Sequence, residues 1–156
     1  SIDTDKLVLQ KENVNLIPLL KNLAEKHKMI SQSKAISFES EMEQLIVSAD
    51  VFHLENAVSN LIDNAVKYGG DTISINLSYS KNQIEIKVED NGNGIEKSQR
   101  EKIFDKFYRI PKGNIHDVKG FGIGLFYSKK IMEKHDGKLE LIVNDLTTFK
   151  ITLPDV

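Results

Sequence analysis

The chain has 156 residues, no cysteine and a formal net charge of −2, with lysines and acidic residues mixed along its length. A chain of this size is most simply one domain with a buried core. The composition excludes disulfides, thiolate metal sites and a cysteine nucleophile, the absence of a basic stripe argues against a nucleic-acid partner, and no apolar stretch is long enough to cross a membrane.

The first predicted elements are a short strand over residues 6–14 and an amphipathic helix. Asn15 is a good N-cap for this helix, and Pro18 is tolerated in its first turn. Apolar residues then recur at helical spacing for about four turns. This spacing predicts a buried face made of Leu16, Leu19, Leu20, Leu23, Ala24 and His27.

Two strand candidates, residues 35–39 and 44–48, lead to a second helix. Asp50 is a good N-cap for it, and the glycine pair at 69–70 is a typical helix end. The apolar spacing predicts that this helix buries Leu54, Ala57, Val58, Leu61, Ile62 and Ala65.

The second half of the chain predicts two hairpins and a third helix. Residues 72–79 and 83–88 alternate in polarity, and so do residues 139–143 and 148–153. The intervening sequence predicts a short helix over 99–104, a mobile loop marked by Pro111 and Gly113, and a helix over 122–135 with Leu125, Phe126, Ile131 and Met132 inward. The pattern indicates a mixed α/β sandwich with helices on one face of a largely antiparallel sheet.

Asn60 and Asn64 are four residues apart and share one face of the second helix, with Lys67 on the same stripe and Tyr68 beside it. Asparagine is a poor residue for a helix interior unless its side chain is used. A carboxamide oxygen suits Mg²⁺, and a lysine can neutralise phosphate. Taken alone, however, the motif fits a solvated polar face, or carboxamides that satisfy buried backbone groups, better than a ligand site.

Asp90 follows a predicted strand and precedes Gly92 and Gly94. A carboxylate only accepts hydrogen bonds, so Asp90 is suited to the exocyclic amine of adenine. The two glycines would let a flat base approach the backbone. Asp-Asn-Gly is also common turn chemistry, and in isolation a simple turn is the better interpretation.

Gly120, Gly122 and Gly124 precede the third helix, where free backbone amides can bind phosphate. The segment lacks the Gly-Lys-Ser/Thr ending of a P-loop, and Leu125 stands where a dinucleotide fingerprint needs glycine. A hinge or close backbone packing explains the three glycines equally well.

Phe104, Phe107 and Tyr108 are suited to an aromatic latch that docks a mobile lid, with Arg109 reaching phosphate. An ordinary amphipathic turn is a strong alternative. The four histidines lack ligand spacing, and none is assigned to catalysis.

Together, these motifs resemble the catalytic and ATP-binding domain of sensor histidine kinases, within the wider group of gyrase-like, chaperone-like and mismatch-repair ATPases. The resemblance covers residues from about 15 to 154. In the family's last conserved strand, usually introduced by Gly-Thr, Thr147 replaces the glycine. Four boxes occur in the family's order: the N box at 60–68, the G1 box at 90–95, the F box at 104–109 and the G2 box at 120–125.

The resemblance implies a Bergerat ATP-binding fold, in which one face of a mixed, mostly antiparallel five-stranded sheet is covered by three helices. It implies a single domain over residues 1–156 with a lid at about 97–119. The domain would bind ATP and Mg²⁺ and donate the γ-phosphate to a histidine on a separate dimerisation hairpin. That hairpin is absent here, which together with the missing start methionine suggests a piece of a longer protein.

The implied partners are this hairpin, from the same parent kinase, and indirectly a response regulator. The isolated domain is expected to be a monomer without direct membrane contact, belonging to the cytoplasmic portion of a membrane-anchored parent. The cysteine-free composition fits that compartment, and the polar sequence after Ser1 shows no signal peptide.

Carried over by position, the resemblance assigns Mg²⁺ to Asn64 with help from Asn60, and catalytic roles to Asn60, Lys67 and Arg109. Lys67 and Arg109 would contact phosphates, and Asp90 the adenine amine. The residues implied around the nucleotide are Asn60, Asn64, Lys67, Tyr68, Asp90, Gly92, Gly94, Ile95, Phe107, Tyr108, Arg109, Gly120, Gly122, Gly124, Leu125 and Thr148.

Asn60 separates the subfamilies. The related ATPases usually carry glutamate at this position and use it to activate water, whereas a carboxamide cannot take a proton. The site therefore resembles one that holds ATP for transfer. The alternatives are a hydrolase of the gyrase or chaperone type, and a nucleotide-binding module that docks a partner helix without kinase activity.

Overall fold

The computed structural model describes residues 4–108 and 124–155. Within these ranges the helices are α1 (Leu16–Ile30), α2 (Val51–Tyr68) and α3 (Gly124–Lys134). The strands are β1 (Glu12–Asn15), β2 (Ala35–Ser40), β3 (Ile46–Ala49), β4 (Thr72–Ser80), β5 (Gln83–Asp90), β6 (Lys138–Val143) and β7 (Thr147–Pro154). Short 3-10 helices lie at Thr4–Lys6, Lys97–Gln99 and Lys102–Phe104. None of the described helices is long and apolar enough to cross a bilayer.

The main sheet has five strands in the order β2-β4-β5-β7-β6. Strands β2 and β4 are parallel, and the other neighbouring pairs are antiparallel. This arrangement confirms the predicted mixed, mostly antiparallel five-stranded sheet. Strands β1 and β3 form a separate antiparallel pair, which the sequence pattern did not predict.

The first predicted strand, residues 6–14, is wrong over most of its length because β1 begins only at Glu12. Just before it, the backbone N–H of Gln10 donates to Oδ2 of Asp50 over 2.8 Å. Val8 is 82% exposed. A side-chain contact, rather than a strand ladder, therefore fixes this segment.

The core lies between the three helices and one face of the main sheet. The side chains predicted to face inward on α1 and α2 are all buried, which confirms the helical spacing. Alternate residues of β4 and β5 complete this layer and are at most 2% exposed: Ile73, Ile75, Leu77, Ile84, Ile86 and Val88. Each such side chain contributes about 1.5–3 kcal/mol by leaving water.

Helix α3 differs from its prediction at its first turn. Ile131 and Met132 are buried as predicted, but Leu125 and Phe126 are only partly buried. Tyr127 and Ser128 are buried instead. They face α2, where the Ser128 hydroxyl donates to the Ala57 carbonyl over 2.8 Å and the Tyr127 hydroxyl lies 2.6 Å from Nδ1 of His53. The apolar spacing missed this face because it is polar.

Asp50 caps α2 as predicted, accepting a hydrogen bond from the backbone N–H of His53 over 3.1 Å. Burial alone would raise the pKa of this carboxyl, but the hydrogen bonds from Gln10 and His53 outweigh it, so the pKa lies below its usual range. Asp50 also connects to the end of α3, because its own N–H lies 3.0 Å from Nε2 of His135. Asp50 therefore connects the start of α2 to the segment before β1, through Gln10, and to the residue after α3, His135.

His135 is held in its neutral form. Nε2 faces the N–H of Asp50, which can only donate, and Nδ1 lies 2.8 Å from the carbonyl of Ile131, which can only accept. Burial lowers the pKa of His135 and, on α1, that of His27. Charging the His135 ring would place one N–H against another.

We expect the protein to lose stability as the pH falls below about 6.5, the ordinary pKa of histidine. In this range His27 and His135 are protonated in the unfolded chain but stay neutral in the folded chain, because folding lowers their pKa values. The loss continues until the pH passes the folded pKa values. Urea unfolding at pH 7.5 and pH 5.5 measures it, and His135→Gln should reduce the difference between the two. Equal stability of the unmutated protein at both pH values would contradict this account.

Candidate functional site

Asn60 and Asn64 lie on α2 and are both partly buried. Nδ2 of Asn60 donates to the carbonyl of Gly124 over 3.4 Å, which joins the middle of α2 to the start of α3. The carboxamide of Asn64, one turn further along the same face, has no hydrogen-bond partner among the described residues. Among the described residues, the structure therefore leaves the carboxamide of Asn64 and the side-chain oxygen of Asn60 available to a ligand.

Lys67 and Tyr68 lie at the exposed end of α2. Nζ of Lys67 is 3.9 Å from Oδ2 of Asp63, one turn back on the helix, and Tyr68 is 50% exposed. The side chains of Lys67 and Asp63 are both about half-exposed, and an ion pair this exposed contributes little to stability. The Lys67 ammonium is thus positioned near the helix end without being committed to a buried partner.

Asp90 ends β5 and is only 5% exposed. Its Oδ1 accepts hydrogen bonds from the backbone N–H of Gly92 at 2.8 Å and of Gly70 at 3.3 Å. The described residues place no donor on Oδ2. Two donors on one oxygen fix the carboxylate and leave the other oxygen as the free acceptor.

Gly69, Gly70 and Asn91 belong to this site, although the sequence pattern showed Gly69 and Gly70 only as a helix end. A Cβ on Gly69 would lie 2.6 Å from Cγ of Asp90, and one on Gly92 would lie 2.7 Å from the nitrogen of Gly70. The backbone N–H of Thr72 donates to Oδ1 of Asn91 over 3.0 Å. The glycine pair is therefore required for the chain after α2 to pack against Asp90.

Gly94 and Ile95 follow Asp90 and cross the end of the hairpin formed by β6 and β7. Gly94 has φ +81, and a Cβ there would lie 3.1 Å from Cγ1 of Val143 and 3.5 Å from Oγ1 of Thr147. Ile95 is partly buried against the core. This conformation and this proximity both favour glycine at position 94.

We expect Gly94→Ala to lower the free energy of unfolding by about 1–2 kcal/mol, because a side chain disfavours the left-handed backbone. Urea denaturation measures the change. Gly124→Ala is the matched control, since its Cβ would meet Asn60 at an ordinary 3.7 Å inside a helix. Equal loss in both variants would show that the backbone at Gly94 is not the cause.

Thr147, rather than Thr148, lies with Asp90. Thr147 on β7 is directly paired with Asp90 on β5, so the side chains of these two residues lie on the helix-covered face of the sheet. The Thr147 hydroxyl is buried and has no hydrogen-bond partner in the part of the chain that is described. Thr148, the predicted residue, donates to Oε2 of Glu89 over 3.2 Å on the opposite face of the sheet.

In the aromatic segment over residues 104–108, the first ring, Phe104, is packed against the sheet and the second, Phe107, is exposed. Phe104 packs edge-on against Phe149, with ring centroids 6.1 Å apart, and Nζ of Lys129 lies 4.8 Å from its centroid. Phe107 is 60% exposed and has φ +67, which is rare for an aromatic residue. The Tyr108 hydroxyl donates to the side chain of Gln99.

Gly124 and Leu125 are the described part of the predicted glycine loop, at the first turn of α3. Arg109, Gly120 and Gly122, with the predicted loop at Pro111 and Gly113, lie outside the described residues. Within the described residues, no cluster of three or more His, Cys, Asp or Glu side chains could hold a metal. The carboxamides on α2 are the metal-ligand candidates that the sequence named.

A match to a known family identifies the class of this protein. Residues 49–156, more than half of the chain, match the family described as histidine kinase-, DNA gyrase B- and HSP90-like ATPase. The chain therefore belongs to that family, as its four boxes predicted.

Two of the similar proteins are a sensor protein and a sensor protein kinase. The chain is 44% identical over 115 residues to sensor protein RprX of Bacteroides fragilis, covering 70% of this chain and 22% of RprX. It is 30% identical to sensor protein kinase WalK of Staphylococcus saprophyticus, covering 98% of this chain and 26% of WalK. The chain thus spans about a quarter of the length of these curated relatives.

A solved structure agrees with these sequence relatives. The catalytic domain of histidine kinase ThkA superposes with a TM-score of 0.80 at 25% identity, covering 94% of this chain and 99% of that domain. The chain thus has the architecture of an isolated histidine kinase catalytic domain, which confirms the predicted fold.

Proposed function

We propose that this chain is the ATP-binding catalytic domain of a sensor histidine kinase, which donates the γ-phosphoryl group of ATP to a histidine on a separate dimerisation hairpin. The observation that carries the proposal is the fixed Asp90 carboxylate, whose Oδ1 is occupied by two backbone amides. Its free oxygen suits the exocyclic amine of adenine. The similarity to sensor kinases favours transfer to a histidine.

The donor set on α2 fits Mg²⁺. Asn64 would hold the ion, helped by Asn60, because neutral oxygen ligands suit a cation whose other ligands are water and phosphate oxygens. When bound, Mg²⁺ neutralises part of the phosphate charge and orients the triphosphate. The unpartnered carboxamide of Asn64 supports this assignment.

The remaining residues of the site bind and position ATP. Asp90 would fix the base, while Gly94 and Ile95 line it and Lys67 and Arg109 contact the phosphates. An imported imidazole nitrogen would then bond to the γ-phosphorus as the bond to the ADP oxygen breaks. Catalysis of this kind consists of positioning and charge neutralisation.

Asn60 favours transfer over hydrolysis. A carboxamide cannot accept a proton from an attacking water, and Nδ2 of Asn60 is already directed to the Gly124 carbonyl at 3.4 Å. Position 60 therefore lacks the carboxylate that a gyrase-type hydrolase would use. A phosphate-release assay separates the two functions.

The proposed partners are the dimerisation and phospho-acceptor hairpin of the same parent kinase and, indirectly, a response regulator. The proposed setting is the cytoplasm, with the isolated domain as a monomer and residues 97–119 as its lid. Asn60 and Asn64 lie on α2, and the glycine pair at the end of this helix packs against Asp90, which supports a nucleotide site that such a lid would cover.

Calorimetric titration with ATP, with and without Mg²⁺, tests the binding step. We expect saturable binding that strengthens when Mg²⁺ is present. No measurable heat for ATP or ADP across several temperatures would contradict the proposed function.

A further inference from the structure

Lys34 is a largely buried lysine next to the proposed adenine site, and it does not belong to any of the sequence motifs. Its side chain is 17% exposed and its Nζ donates to the carbonyl of Gly70 over 2.9 Å. It lies at the entrance to β2, where the next residue, Ala35, donates its N–H to the carbonyl of Asp71 over 2.8 Å. The segment after α2 is thus held from this side by two consecutive residues.

Gly70 connects Lys34 to Asp90. Its carbonyl accepts from Lys34, and its N–H donates to Oδ1 of Asp90. The hydrogen bond from Gly70 to Asp90 is long at 3.3 Å. Its geometry therefore depends on other contacts that fix the Gly70 backbone. A bond between an ammonium and a carbonyl is charge-assisted and stronger than a neutral one.

The packing around Gly70 transmits this constraint. A Cβ on Gly70 would collide with the side chain of Asn91 and lie 2.7 Å from the nitrogen of Gly92. The same nitrogen makes the second hydrogen bond to Asp90. A shift of Gly70 therefore moves both donors that orient the carboxylate, because interiors packed this tightly transmit displacement.

We infer that Lys34 is a positioning residue for base recognition, which sets the direction of the free Asp90 oxygen by fixing the Gly70 backbone. This inference rests on the proposed function, since it assigns that oxygen to the adenine amine. In this role Lys34 acts through the Gly70 carbonyl and not by touching the nucleotide. Its contribution appears as selectivity for adenine over a base with a carbonyl at the same ring position.

The first test is made without nucleotide, on the Gly70 amide, by hydrogen exchange. Lys34→Met removes the cation while keeping most of the side chain, and we expect it to reduce Gly70 protection by about 3- to 10-fold. Asp71→Asn is the control, because it neutralises the carboxylate that lies 3.8 Å from Nζ of Lys34 and leaves the bond to the Gly70 carbonyl. Unchanged protection in Lys34→Met would overturn the inference, whether or not nucleotides bind.

The second test compares the Kd values of ADP and IDP by calorimetry. Lys34→Met should raise the Kd for ADP by about 3- to 10-fold and change that for IDP much less. Lys34→Arg, which keeps a cationic donor, should restore most of the ratio. An equal loss for both nucleotides would mark Lys34 as merely structural and overturn the inference. Absence of ADP binding by the unmutated chain would instead refute the proposed function, and the inference with it.

Discussion

Asp90→Asn should weaken ATP binding by on the order of 100-fold and reverse the preference between adenine and hypoxanthine bases. The backbone amides of Gly70 and Gly92 both donate to Oδ1 of Asp90, so the asparagine will keep its carbonyl oxygen there. Its NH₂ group then takes the place of the free oxygen. A donor would face the adenine amine, which is also a donor, whereas the inosine carbonyl would gain a partner.

Calorimetry with ATP and ITP measures this reversal. Glu89→Gln is the matched control, because it makes the same change of charge one residue earlier on β5. Glu89 lies on the other face of the sheet, where it accepts from Asn76 at 2.6 Å and Thr148 at 3.2 Å. If Asp90→Asn and Glu89→Gln reduce ATP affinity equally, Asp90 is not the base-recognition residue.

Asn64→Ala should abolish the Mg²⁺-dependent part of ATP binding and slow phosphoryl transfer by on the order of 100-fold or more. The same substitution should make the fold slightly more stable, because alanine is the better residue in a helix interior. A loss of function with a gain of stability cannot come from a damaged helix. ATP titrations in Mg²⁺ and in EDTA, with urea unfolding, measure both effects.

Asn56→Ala provides the control on the same stripe of α2, roughly two turns earlier. Asn56 is exposed, so its removal should leave the response to Mg²⁺ unchanged. If ATP binding by Asn64→Ala still strengthens in Mg²⁺ as in the unmutated chain, Asn64 does not hold the metal.

The helices and the main sheet could be predicted because their periodicity is apolar. Leu54, Leu61 and Ile62 recur at helical spacing on α2, and Ile84 and Ile86 alternate on β5, so burial alone identifies both faces. The first turn of α3 could not be predicted in this way. Its inner face uses Tyr127 and Ser128, which pack through hydrogen bonds to His53 and Ala57 that leave no apolar pattern.

The site shows the same division. Asp90 and the two asparagines of α2 could be assigned to a site only because four boxes in order resemble a known family, since each motif alone favoured a simpler interpretation. Gly70 and Lys34 could not, because their role depends on contacts between segments that are 36 residues apart. The sequence alone suggested Thr148, and the choice of Thr147 required the strand register, because a shift of one residue changes the face of the sheet.

Phosphoryl transfer to the proposed partner tests the central claim most directly. The chain would be mixed with labelled ATP, Mg²⁺ and the dimerisation hairpin of its parent protein, while phosphate release is measured with the chain alone. We predict acid-labile label on a histidine of the hairpin and no sustained phosphate release by the chain. Steady phosphate release by the chain alone that is lost in Asn60→Ala, with no label on the hairpin, would contradict the account and identify a hydrolase.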